Sequence, residues 1–189
     1  MCERSRLMRS LLKAGDAGFI SKYVLRVRQQ SKDSPLWDGF FSSTDVLVPV
    51  PRSTPYVAGS LWAAEDLARA MVTAGLGGAV WSGLRRAHAV RKSSTAAPSE
   101  RPTVNLHYES FFIERPPIEL ENIVLVDDVI TKGRTLLAAA SRVHDALPYA
   151  QIRAFALVRT MGLISGVEQL IDPCMGEIRW RAGDAHRSP

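Results

Sequence analysis

The chain has 189 residues, of which 46% are hydrophobic and 23% are charged, and its mean hydropathy is -0.03. These values exclude extensive disorder and are typical of one soluble domain that buries a core without disulfides or a structural metal. The formal net charge of +5 is compatible with binding of nucleic acid or of a highly anionic small molecule, so the charge alone does not distinguish between these partners.

The cysteine content and the apolar segments predict the compartment. Only Cys2 and Cys174 are present, so the chain can build neither a disulfide framework nor a zinc site of four cysteines. No apolar run approaches the roughly 20 residues that a membrane span needs. We therefore expect a cytoplasmic protein without a membrane segment. The basic residues form no stripe with interleaved aromatic residues, so nucleic-acid binding stays open but is not favoured.

The N-terminal residues are predicted to be helical. Apolar positions lie mostly three or four apart over residues 4–30, which predicts one or two helices with a break at residues 15–18. Residues 30–44 contain an Asp-Ser-Pro sequence and paired serines, which are typical of a connector. The short apolar run at residues 45–50 then predicts the first buried strand of a sheet.

The next segment predicts a helix and a long loop. Helical spacing extends over residues 56–74, and residues 78–81 are a weaker strand candidate. Residues 84–103 have no sustained period and are rich in Arg, Lys, Ser, Thr, Ala and Pro, which predicts a long mobile loop. Because such a loop is uncommon in a compact domain and this one is cationic, we expect it to have a function.

The clearest alternation of strand and helix follows this loop. Residues 122–126 predict a strand, residues 133–147 a helix and residues 151–158 another strand. This βαβ order predicts the α/β fold class, with a parallel β-sheet flanked by helices.

Two adjacent acids and a polar loop stand between the strand and the helix. Asp127 and Asp128 follow the predicted strand at its carboxyl end, the edge at which parallel sheets bind ligands. Ionised carboxylates accept hydrogen bonds from the vicinal hydroxyls of a ribose, directly or around a hard divalent cation. The alternative interpretation is a polar strand end followed by a helix cap.

The residues after the acids suit a phosphate. The loop enters a helix, where free backbone amides and the helix dipole attract anions. Gly133 lets the backbone approach an anion closely, and the hydroxyls of Thr131 and Thr135 donate hydrogen bonds to its oxygens. Lys132 and Arg134 add positive charge. The segment therefore predicts a site for a phosphorylated ribose.

Residues 123–135 (IVLVDDVITKGRT) resemble, over their whole length, the thirteen-residue signature of type I phosphoribosyltransferases. The resemblance implies a Rossmann-like three-layer core with a small hood, and phosphoribosyl diphosphate (PRPP) as the substrate. It implies that the ribose and the 5-phosphate are bound by Asp127, Asp128, Val129, Ile130, Thr131, Lys132, Gly133, Arg134 and Thr135. It also implies that magnesium accompanies the diphosphate, held directly or indirectly by the two acids.

A second stretch, residues 46–53 (VLVPVPRS), resembles the first strand and diphosphate loop of the branch related to ComF and amidophosphoribosyltransferase. The resemblance implies that Pro51, Arg52 and Ser53 face the diphosphate. Arg91 and Lys92 would belong to the catalytic loop that covers the leaving group and excludes water. From the residues alone, the 51–53 loop could equally be a turn, and Arg91 and Lys92 could be solvated loop cations.

The implied division of the chain is an N-terminal helical extension at residues 1–44, a phosphoribosyltransferase core at 45–160 and a C-terminal extension at 161–189. The implied activity is transfer of phosphoribosyl to a nitrogen acceptor with release of diphosphate. The family resemblance also makes a homodimer plausible. A single Cys2 excludes the N-terminal zinc module that ComF-like proteins often have. The alternative function is a non-catalytic sensor of PRPP or nucleotides that regulates nucleic acid or a partner protein.

Overall fold

The structure is a computed structural model that describes residues 3–91, 100–116, 119–160 and 172–188. It is an α/β fold, as the sequence predicts. The helices are α1 Glu3–Lys13, α2 Ala17–Asp33, the short 3-10 helix Pro35–Trp37, α3 Ala63–Thr73, α4 Val104–Ser110 and α5 Arg134–Ala146. The strands are β1 Val46–Pro49, β2 Ala79–Val80, β3 Leu84–Arg86, β4 Phe111–Ile113, β5 Asn122–Ile130, β6 Gln151–Arg159, β7 Glu177–Arg181 and β8 Asp184–Ser188. Within these ranges no helix is both long and apolar enough to cross a bilayer.

The central sheet has four parallel strands in the order β2-β1-β5-β6. In its register Pro49 lies beside Val126, which in turn lies beside Phe155. The carboxyl ends of β1, β5 and β6 therefore meet at one edge of the sheet. This edge is where an α/β sheet of this kind binds ligands.

Two apolar layers cover the sheet, one on each face. Val124 and Val126 belong to a cluster with α2 and α3, while Ile123 and Leu125 belong to a second cluster with α5. A strand buried on both faces needs a continuous apolar run instead of an alternating one, and this explains why β5 was the clearest strand in the sequence. The three-layer, Rossmann-like arrangement follows from this burial.

The N-terminal helices pack on the first of these layers. Asp16 caps α2, its Oδ1 accepting a hydrogen bond from the Phe19 amide at 2.7 Å, and Gly15 adopts a left-handed φ of 67°. Both features produce the break that the sequence predicts at residues 15–18. Ile20 and Val24 of α2 are buried in the core, so these helices complete one face of the sheet.

A small hood, composed of β3, α4 and β4, packs against α5. The prediction of an irregular loop from residue 84 to residue 103 is therefore wrong at its start, where β3 pairs antiparallel with β4. Strands of three residues are too short to show a period, and their partners lie far apart in the sequence. Residues 92–99 lie outside the described residues.

Two further elements differ from the sequence prediction. Helix α3 begins at Ala63, about two turns later than the predicted start at residue 56. The C-terminal residues, to which the sequence assigned no element, contain the antiparallel hairpin β7–β8. Ala182 and Gly183 form its turn with positive φ angles of 51° and 79°, the conformation that two-residue hairpin turns favour.

A buried ion pair ties the connector to the outer strand of the sheet. Asp45 is 0% exposed, and its Oδ1 accepts a hydrogen bond from Arg153 Nη2 at 2.5 Å. Its second oxygen, Oδ2, accepts from the Ser42 amide at 2.7 Å. The guanidinium also donates to the carbonyls of Gly39 and Phe40, at 2.8 Å and 2.7 Å. The ion pair therefore joins the connector at residues 39–45 to β6.

We expect Asp45→Ala to lower the free energy of unfolding by about 3 kcal/mol, because it leaves the half-buried Arg153 and the Ser42 amide without their acceptor. Urea unfolding measures this loss. Asp38→Ala, which removes an exposed carboxylate from the same connector, is expected to change stability by less than about 0.5 kcal/mol. Equal losses in the two variants would contradict the structural role of the pair.

Candidate functional site

The site is built where β5 passes into α5. The strand continues through both acids to Ile130, and a turn of three residues leads to the helix, which begins at Arg134. Gly133 has a left-handed φ of 86°. A Cβ at this position would lie 2.9 Å from Ile178 Cδ1 of the β7–β8 hairpin. The backbone conformation and the lack of space both require glycine here.

The first amides of α5 have no acceptor within the helix. The first intrahelical bond runs from the Leu137 amide to the Gly133 carbonyl at 2.8 Å, so the amides of Arg134, Thr135 and Leu136 precede it. The N-cap residue is Gly133, which has no side chain with which to cap these amides. The turn borders a pocket of about 420 Å³, including space open to solvent, lined by Arg101, Asp127, Val129, Ile130, Thr131, Lys132, Gly133, Arg134, Thr135 and Leu136.

The two adjacent acids face opposite sides of the sheet, because successive residues of a strand alternate. Asp127 is half-buried and lines the pocket. Asp128 is 5% exposed and forms an ion pair with Lys13 at the end of α1. The structure therefore brings the first of the two predicted acids into the pocket and places the second beneath the N-terminal helices.

The environment of Asp127 disfavours its ionised form. Burial, and then the neighbouring Asp128 carboxylate, raise the pKa of Asp127 well above its ordinary value. A ligand that brings a cation or hydrogen-bond donors to this carboxyl would compensate for that penalty. Among the described residues no three His, Cys, Asp or Glu side chains are grouped to hold a metal by themselves.

The two cations of the 131–135 loop are paired with a carboxylate of the hairpin. Arg134 donates from Nε and Nη2 to the two oxygens of Asp184, at 2.5 Å and 2.6 Å. Lys132 Nζ lies 3.6 Å from the same carboxylate. Hydrogen bonding by Arg134 lowers the pKa of Asp184 to about 2. Both cations line the pocket, and the single carboxylate of Asp184, held mainly by Arg134, balances one of their two charges.

The 51–53 loop lies at the same edge of the sheet, next to β5. The Val50 amide donates to the Val126 carbonyl at 2.8 Å and so aligns the end of β1 with the end of β5. Arg52 Nη1 donates to the Leu61 carbonyl at 2.8 Å. Pro51, Arg52 and Ser53 do not line the pocket described above.

Of the two predicted catalytic cations, Arg91 is described and Lys92 lies outside the described residues. Arg91 Nη2 lies 3.1 Å from Glu100 Oε2, and both side chains are about half exposed. Arg91 does not line the pocket, whereas Arg101 does. Arg101, and not Arg91, is therefore the arginine of this region that belongs to the site.

The hood also contacts the 131–135 loop through a histidine. His107 of α4 is 4% exposed, and its Nε2 lies 3.4 Å from Thr135 Oγ1. Burial, together with the charges of Arg86 and Arg134, lowers the pKa of His107 to about 4. The ring is therefore neutral at physiological pH and can orient the Thr135 hydroxyl without adding charge.

Several residues of the site carried no signal in the sequence. They act across the fold, and no local spacing connects them with the 123–135 segment. They are Lys13, Arg101, His107, Ile178 and Asp184.

Comparison with models of known protein families finds no match to the chain, and comparison with curated protein sequences also finds none. The chemistry of the pocket itself is therefore the basis for assigning a function.

The ion pair between Arg134 and Asp184 predicts a pH dependence. Asp184 has a folded-state pKa of about 2, below its ordinary 3.8, so its contribution to stability is present above about pH 4 and is lost as pH falls through 2. Asp184→Asn should therefore destabilise the protein near pH 6, and the difference from wild type should shrink between pH 4 and pH 2. Urea unfolding at several pH values measures this difference.

Glu177→Gln is the matched control, because it removes from the same hairpin an exposed carboxylate that pairs with its near neighbour Arg179. Its effect on stability should be small at every pH. A difference between wild type and Asp184→Asn that stays constant as the pH falls would contradict the pairing.

Proposed function

We propose that the chain binds PRPP at this pocket and transfers its phosphoribosyl group to a nitrogen acceptor, with release of diphosphate. The observation that carries the proposal is the pocket at the carboxyl edge of the sheet. One carboxyl, Asp127, and the free amides at the start of α5 border the same space. A ribose 5-phosphate has the matching pair of groups, because its hydroxyls donate to a carboxylate and its phosphate accepts from amides.

Each part of the ligand has a counterpart in the chain. The amides of residues 134–136 and the hydroxyls of Thr131 and Thr135 suit the 5-phosphate. Asp127 suits the ribose hydroxyls. The 51–53 loop, at the neighbouring strand end, suits the diphosphate. This assignment also agrees with the resemblance of residues 123–135 to the family signature.

The donor set fits magnesium that arrives with the substrate. This cation retains several waters and takes one or two carboxylates together with phosphate oxygens, so it does not need a cage of protein ligands. Asp127 is the carboxylate that would hold it, and a cation there would favour the ionised form that burial disfavours. When bound, magnesium would stabilise negative charge on the departing diphosphate.

In the proposed reaction the bond between C1 of the ribose and the diphosphate oxygen breaks, and the bonding electrons leave with the diphosphate. The nitrogen of the acceptor forms the new bond to C1 from the opposite face and then loses a proton. The chain itself positions the 5-phosphate, the ribose and the diphosphate of PRPP relative to the acceptor, and its hood excludes water. Positioning of this kind needs no covalent adduct with the protein.

The two acids provide a matched pair of variants. Asp127→Asn should weaken binding of PRPP with magnesium at least about tenfold, because it removes a charged acceptor from the pocket. It should leave stability equal or higher, because it relieves the burial of a carboxyl beside another carboxylate. Asp128→Asn should lower the free energy of unfolding by at most about 1 kcal/mol, because the Lys13 that loses its partner is half exposed, and it should have a smaller effect on affinity.

Calorimetry measures the affinities in this experiment, and urea unfolding measures the stabilities. Unchanged affinity in Asp127→Asn would contradict the proposed ribose contact. No binding of PRPP by the wild-type protein would contradict the proposal as a whole.

The second candidate is a sensor that binds PRPP or a nucleotide without turnover. Two observations favour it, namely the commitment of Asp128 to Lys13 and of Arg134 to Asp184. Each of these ion pairs occupies a charged side chain that, according to the family resemblance, would contact the ligand. Incubation with PRPP, magnesium and a panel of nitrogenous bases and amines separates the two functions, because only the transferase releases diphosphate. Tight binding without release, together with salt-sensitive binding of RNA or DNA, would favour the sensor.

A further inference from the structure

A buried arginine lies between the hood and the 51–53 loop. Arg86, the last residue of β3, is 4% exposed, and its guanidinium carbon lies 4.2 Å from the centroid of the Phe111 ring. Its Nε donates to the Arg52 carbonyl at 2.6 Å. Its Nη1 donates to the hydroxyl of Ser110, which is 0% exposed. The side chain thus bridges two segments that are 58 residues apart, from Arg52 to Ser110.

The charge of Arg86 has no counter-ion in the part of the chain that the structure describes. No Asp or Glu there contributes to its ionisation, and burial lowers its pKa to about 10, so it remains protonated at neutral pH. Two other half-buried arginines of the fold, Arg134 and Arg153, each have an aspartate partner. Burying a cation costs free energy unless an anion compensates, so the position of Arg86 favours an anion at the adjacent loop.

The hydrogen bond from Arg86 also determines the direction of backbone amides. The Arg52 carbonyl and the Ser53 amide belong to one planar trans peptide and point in opposite directions. With this carbonyl held by Arg86, the Ser53 amide points away from the guanidinium. The Ser53 carbonyl is likewise held by the Val90 amide at 2.8 Å, which turns the amide of Thr54 outward. Arg86 of the hood and Val90, four residues later in the chain, thus hold two successive peptides of this turn.

We infer that Arg86 is a positioning residue for the diphosphate half of the site, which holds the peptide between Arg52 and Ser53 with its amide turned outward and supplies the charge that an anion there balances. This inference rests on the proposed function. It assigns a task to the hood beyond covering the site, because the hood sets the backbone of the 51–53 loop, which follows the strand next to β5.

The experiment compares two ligands that differ in the diphosphate alone. Dissociation constants of PRPP and of ribose 5-phosphate, each with magnesium, are measured by calorimetry. The dissociation constant of ribose 5-phosphate divided by that of PRPP is the ratio that reports what the diphosphate contributes. Arg86→Met should reduce this ratio at least about tenfold, because a charged hydrogen bond and the loop geometry are both lost. The affinity for ribose 5-phosphate should stay within about twofold, since the 131–135 loop is untouched.

Two milder variants keep the test valid if Arg86→Met does not fold. Arg86→Lys keeps the charge but cannot reach the Arg52 carbonyl and the Ser110 hydroxyl together, so the ratio should fall by an intermediate factor. Ser110→Ala keeps the arginine and removes one of its two acceptors, so the ratio should fall by less.

Arg69→Met is the matched control, because it removes the same charge from α3, where the exposed side chain pairs with Glu65. Its ratio should equal that of the wild type. An unchanged ratio in folded Arg86 and Ser110 variants, or an equal loss of both ligands, would overturn the inference. A wild-type protein that binds ribose 5-phosphate as tightly as PRPP would contradict the proposed function itself.

Discussion

A strand that is buried on both faces has to pass into a helix within three residues, and the rest of the site depends on this transition. β5 lies between two apolar layers, so its direction and depth are determined by packing. The change of direction into α5 occurs at Gly133, whose left-handed conformation and contact with Ile178 leave no room for a side chain. The first amides of α5 consequently meet the sheet edge where β1 and β5 end.

Ion pairs on either side of this transition determine which charges face the pocket. Lys13 neutralises Asp128, and Asp184 balances one of the two charges of Lys132 and Arg134. The groups that line the pocket include the carboxyl of Asp127, the loop hydroxyls, the first amides of α5 and the cations Arg101 and Lys132. Recognition at this end of the ligand therefore combines fixed backbone dipoles with positive charge, and only the second contribution is strongly screened by salt.

The parts of the fold that sequence patterns predict are those in which one element carries its own signal. The continuous apolar run of β5, the helical spacing of α2 and the break at Gly15 all appear in local sequence. The hood strands do not, because three residues show no period and β3 pairs with a strand more than 20 residues later. The sequence prediction ended β5 before its acids, whereas in the structure the strand continues through them, so the side chains of Asp127 and Asp128 leave the backbone on opposite faces of the sheet.

The partners of the site residues are the part that no local pattern predicts. In the sequence Arg86 is simply one of two adjacent arginines, and its role is indicated by its burial without a carboxylate partner among the residues that the structure describes. The same holds for His107, whose neutral ring at Thr135 depends on desolvation by the hood. Such roles follow from long-range packing, which a single sequence does not reveal.

The distance along the chain between Arg134 and Asp184 has a consequence for biosynthesis. The aspartate is translated 50 residues after the arginine. At cellular rates of elongation the interval is roughly 3 to 10 s, which is long compared with the formation of a helix. The nascent polypeptide therefore carries α5 with an unneutralised Arg134 while the hairpin is still being made. During that interval the exposed guanidinium is open to polyanions in the cell, such as the RNA of the ribosome itself.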